Sequence, residues 1–96
     1  MDNNDIVNSA PLTLRITDRR GNTQTFACDS VKLCAKDSAK GTQGGWIGIH
    51  RGHMPALISL ANAPVSAFLA GDTVCNYAVT GGIAHVCSNI ITVFPE

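Results

Sequence analysis

Two histidines, His50 and His53, stand three residues apart in the stretch "GGWIGIHRGHMPAL", and a third, His85, lies far downstream. Four cysteines, Cys28, Cys34, Cys75 and Cys87, complete the set of soft ligands and nucleophiles. Imidazole and thiolate are the donors of zinc sites, so metal binding is the first chemistry to test. Such a site needs ligands at recognisable spacing, and no C-x-x-C pair occurs. An i, i+3 histidine pair converges on a helix, whereas His50 and His53 flank Gly52 in a turn-forming sequence. A shaped turn with one satisfied and one exposed histidine accounts for the pair without a metal. The thiols read as reduced, mostly buried small apolar groups, since no export signal sends the chain to an oxidising compartment.

Other chemistry finds little support. "TGG" at Thr80 to Gly82 lacks the Lys-Ser/Thr of a phosphate loop. No Ser/His/Asp set has motif support, and no paired carboxylates sit in apolar surroundings. Seven Lys plus Arg balance seven Asp plus Glu, which gives no basic face for nucleic acid. No apolar segment is long enough to cross a bilayer as a helix. The expectation is therefore a domain with no active site, no cofactor and no metal.

The elements that must position these residues read as strands. Glutamate occurs once, at Glu96, while Val, Ile, Thr and Gly are plentiful. In "PLTLRIT", Leu12, Leu14 and Ile16 alternate with polar neighbours, the period of a half-buried strand. "DRRGNT" makes a turn, and "TFACD" returns with Phe26 and Cys28 on one face. "VKLCA" and "WIGI" are strands on either side of a polar, glycine-rich loop from Lys36 to Gly45. "ALISLA" is an apolar run too short and too poorly capped to be assigned as a helix. "VSAFLA" and "TVCNYAVT" flank a turn at Gly71-Asp72, and the second places Val74, Asn76 and Ala78 on one face. "IAHVC" and "IITVF" flank Ser88-Asn89 as a hairpin. Many short strands at even spacing predict an all-β fold, a flattened β-sandwich of two packed sheets. Residues 1–10 read as a flexible polar leader and 11–96 as a single sandwich domain.

Three segments carry a family resemblance. "TLRITDRRGNTQTFACDSVKL" resembles the opening of the ε subunit of bacterial rotary (F-type) ATP synthases, a strand, a charged Gly turn, a return strand and a D-S-V-x-L strand. "GIHRGHMPAL" resembles that family's G-I-x-P-G-H-x-P-L loop. "YAVTGGIAHVCSNIITVF" resembles its A-V-S-G-G-x-x-x-V-x-x-N-x-V-T-V ending. The motifs follow in the family's order, from about Leu12 to Phe94.

The resemblance implies the family's N-terminal sandwich domain, which binds the γ subunit and sits against the c subunits of the rotor ring. Such a domain couples the ring to the stalk in ATP synthesis and ion (proton) transport, and catalyses nothing itself. It implies a peripheral place at the cytoplasmic face of a bacterial membrane. The interface it implies comprises Lys36, Lys40, Trp46, His50, Arg51, His53 and Met54. The chain departs from the family in four ways. The family's C-terminal helical hairpin is not expected in this polypeptide, and neither is helix-mediated inhibition. Trp46 replaces an acidic residue, the loop bearing Lys36 and Lys40 is longer, and Arg51 replaces a proline. Two other readings remain beside it, a small Cys/His metal-binding β-domain and an ε-like paralogue reused as a binding module.

Overall fold

Alternating sequence gives alternating burial from Leu12 to Ile16 in the computed structural model, which describes residues 10–37, 39, 40 and 43–96. Strand β1 (Leu12–Thr17) turns Leu14 and Ile16 fully inward and leaves Arg15 in solvent. It is followed by β2 (Thr23–Cys28), β3 (Ser30–Lys36), β4 (Gln43–His50), β5 (Ala56–Leu60), β6 (Val65–Leu69), β7 (Asp72–Tyr77), β8 (Gly82–Cys87) and β9 (Ile90–Pro95). The fold is all-β, and among the described residues it contains no helix.

Hydrogen bonding runs through one continuous nine-stranded sheet in the order β2-β1-β9-β8-β5-β3-β6-β7, with β4 paired to β3. The sheet folds over at β3, so that β2 comes to lie against β6 and β7. Strand β3 belongs to both halves. Its first residues pair with β6, and Ala35 alone bridges to Leu60 of β5. The two expected layers are therefore present as a five-stranded half (β2, β1, β9, β8, β5) and a four-stranded half (β4, β3, β6, β7). They are joined through that one bridge rather than separate. Between them lies a core of Leu12, Leu14, Ile16, Val31, Leu33, Ile49, Val65, Ala67, Val86, Ile91 and Val93. A satellite cluster forms where Ala61 and Ala63 cover Cys34, fixed by the Ala61 amide donating to the Cys34 carbonyl at 3.0 Å.

Several boundaries differ from the sequence reading. The run "ALISLA" is strand β5, stabilised by antiparallel pairing with β8 that its own short sequence could not reveal. Strand β4 begins at Gln43, three residues before Trp46, and β3 includes Lys36, so the two ends of the glycine-rich segment are drawn into the strands. Strand β7 ends at Tyr77, and Ala78 falls outside it. The β6–β7 turn centres on Ala70 and Gly71, whose φ values are 52° and 85°, rather than on Gly71-Asp72. The Ser88-Asn89 hairpin has both residues left-handed, at 52° and 63°, as a two-residue turn matching strand twist requires. The leader assigned to 1–10 lies, apart from Ala10, outside the described residues, as do positions 38, 41 and 42 of the β3–β4 loop.

Candidate docking surface

The β4–β5 connection is built as a turn. His53 N–H donates to the His50 carbonyl at 3.2 Å, closing a turn with Arg51 and Gly52 at its centre. Gly52 has φ of 83°, the left-handed value that a type II turn demands at its third residue and that a side chain resists. The Arg51 substitution therefore leaves the turn intact, because glycine rather than proline supplies its defining angle. Gly52 N–H also donates to Asn89 Oδ1 at 2.8 Å, which joins this turn to the β8–β9 hairpin. The His53 ring faces the Met54 carbonyl through Nδ1 at 2.7 Å and is half-buried, while His50, Arg51 and Met54 are exposed. Among the described residues no three His, Cys, Asp or Glu side chains gather where a metal could be held. All four cysteines are free thiols, with Cys28, Cys34 and Cys75 buried. Burial, and after it the neighbouring Asp29 carboxylate, pushes the Cys28 thiol from 9.0 up to about 11. Burial raises Cys75 as well. Both sulfurs are thus poor nucleophiles and poor ligands at neutral pH.

The seven residues expected at an interface occupy four places. Met54 and the His50–His53 turn form one tip, next to Asn89. Trp46 and His50 stand on the outer face of β4, flanking Gly48, where they line a slot with Ser30, Lys32 and Phe68. Trp46 is half exposed, and Lys32 Nζ lies 4.9 Å from the centre of its ring, within cation–π range. Lys36 belongs to neither. It borders a groove of about 600 Å³ on the other half of the sheet, lined by Leu57, Ser59, Ile83, Phe94 and Glu96. Lys40 sits exposed in the turn that follows, where Asp37 Oδ1 accepts the Ala39 and Lys40 amides at 2.9 and 3.1 Å.

That groove is the feature that sequence reasoning missed. Register places Ile83 directly opposite Phe94 and opposite Ser59, and Leu57 opposite His85. Leu57, Ile83 and Phe94 therefore share the outer face of the five-stranded half, and they are 74%, 48% and 48% exposed. Three large apolar side chains thus converge on a solvent-facing sheet. The signal existed in the sequence as a breach of parity. Ile83 and Phe94 occupy the same alternating positions as the polar His85 and Thr92.

No family model matches the chain, and no curated protein matches it. Solved structures do. A chain of the Euglena gracilis mitochondrial ATP synthase, in its OSCP/F1/c-ring assembly in rotational state 1, is similar with a TM-score of 0.69 at 18% identity, over 90% of this chain and 51% of its own. A chain from the central stalk/c-ring of the Tetrahymena thermophila mitochondrial ATP synthase is similar with a TM-score of 0.64 at 12% identity, over 90% of this chain and 63% of its own. The likeness is one of fold. The present chain spans between half and two thirds of the length of these neighbours.

Proposed function

We propose that this chain is a non-catalytic, ε-like component of the central stalk of a rotary ATP synthase. In this reading it binds the γ subunit and rests on the c subunits of the rotor ring, helping to transmit rotation during ion-driven ATP synthesis. It would be held at the cytoplasmic face of a bacterial membrane through the complex. The observation that carries the proposal is the shared fold, which extends over 90% of the chain with chains of ATP synthase stalk and c-ring assemblies. The order of the three sequence motifs supports it independently. So does the apolar surface of Leu57, Ile83 and Phe94, because a domain that works by docking must expose such a surface.

Co-elution with the γ subunit encoded in the same genome tests the proposal. A stable complex on size-exclusion chromatography is expected. Gly52→Pro with His53→Ala should weaken it through the turn, and Leu57→Asp with Phe94→Ser through the apolar groove. A folded chain that ignores a competent γ subunit would sink the stalk reading and leave an ε-like fold serving another partner.

A further inference from the structure

Strand β4 is the longest in the fold, with eight residues, and among the described residues it pairs with β3 alone. Its sequence, "QGGWIGIH", carries neither lysine nor proline nor an inward charge, and its one edge defence is the bulge at Gly44, where the register with β3 shifts, so the regular edge runs from Gly45 to His50. Its three glycines differ in what they explain. A Cβ at Gly44 would crowd the Asp37 amide nitrogen at 3.0 Å and the Ala35 carbonyl oxygen at 3.2 Å, so close backbone packing accounts for that glycine. A Cβ at Gly48 would meet only the His50 ring, at 3.6 Å, an ordinary contact, and its φ is not left-handed. Nothing among the described residues asks for a missing side chain at 48. Yet its absence opens the slot of about 320 Å³ between Trp46 and His50, floored by Lys32 and bounded by Phe68.

Opposed residues of an antiparallel pair point to the same face of the sheet. Let a second copy of β4 pair with the first about a two-fold axis through Ile47. Ile49 then faces Gly45 and Ile47 faces Ile47 on the inner side. On the outer side each Trp46 lies opposite the other copy's Gly48. The indole of one copy covers the glycine of the other and enters its slot, where Lys32 already stands against Trp46. An aromatic side chain laid over a cross-strand glycine is a known way to pin sheet register. The alternative two-fold through Trp46 sets the indoles against each other and leaves Gly48 facing Gly44, with the slot unfilled. We infer that β4 is a self-complementary edge through which two copies of this chain pair antiparallel, each inserting Trp46 into the slot over the other's Gly48. The paired area is small, so the dimer is a concentration-dependent one. It buries Trp46 and thereby competes with any partner that uses the same face. The inference rests on the free chain alone and is independent of the stalk proposal.

Trp46 is the chain's one tryptophan, so its fluorescence reports directly on the slot. Sedimentation equilibrium and tryptophan emission would be followed together across roughly a hundredfold range of concentration of the full chain. A monomer–dimer equilibrium is expected, with emission moving to shorter wavelength as the dimer fills. Gly48→Val should fold normally, since its Cβ has room and valine favours strands, yet weaken the dimer by about tenfold or more. Trp46→Ala should do the same from the other side of the contact. Circular dichroism confirms folding of both variants. A chain that stays monomeric throughout, or a dimer indifferent to Gly48→Val, would overturn the inference.

Discussion

Asn89 Oδ1 accepts the Gly52 amide proton at 2.8 Å across 37 residues of sequence, and this bond couples the β4–β5 turn to the β8–β9 hairpin. Asn89 is suited to both of its tasks. It tolerates the left-handed φ of 63° that the hairpin needs, and its side chain reaches the neighbouring turn. Asn89→Gly keeps the backbone angle and removes the bond, whereas Asn89→Ala loses both. We expect losses of about 1 and about 2 kcal/mol respectively, read by urea denaturation. Equal losses would show that the bond, not the backbone angle, accounts for the effect of both substitutions.

Ala70 is held at a φ of 52°, a conformation in which an alanine side chain is strained. Its amide donates to Asp29 Oδ2 at 2.9 Å, a bond that any residue at 70 can make. Ala70→Gly should therefore stabilise the fold by up to about 1 kcal/mol, the relief of strain exceeding the added freedom of the unfolded chain. A lowered denaturation midpoint would count against that account of the turn.

Gly82 opens β8 at a φ of 118°, where a Cβ would collide with the Phe94 carbonyl oxygen and come within 2.9 Å of the Glu96 amide nitrogen. The collision is with backbone, which cannot swing away. Gly82→Ala should cost at least about 2 kcal/mol and disturb the adjoining groove at Phe94. Gly45→Ala is the matched control, since a Cβ there meets nothing within 4 Å and should change stability by no more than about 0.5 kcal/mol. Thermal melts of the two variants make the comparison.

Cys28 makes stability depend on alkaline pH. Its thiol ionises from 9.0 in the unfolded chain and from about 11 in the fold, so the folded state retains a proton that the unfolded state gives up. The contribution is full below pH 9 and declines as pH rises through 11, by about 3 kcal/mol in all. The raised Cys75 thiol acts in the same direction. Urea titrations at neutral and alkaline pH should show stability falling across that window. Cys28→Ala should flatten the fall, and an unchanged slope would refute this assignment.

The period-two alternation of Leu12, Leu14 and Ile16, and of the hairpin around Ser88-Asn89, sufficed to define strands, facing and an all-β class. Those features are local, since parity and turn chemistry act over a few residues. The histidine turn was legible for the same reason, because Gly52 announces its own backbone angle. Tertiary structure decided what depends on neighbours distant in sequence. It made "ALISLA" a strand by supplying β8 as its partner, and it bent one sheet into two layers through the Ala35–Leu60 bridge. It also separated Lys36 from Trp46, and brought Leu57, Ile83 and Phe94 together on one outward face. Strand order and register are settled by which long-range pairings bury the most apolar surface, a competition over the whole chain that no short stretch records.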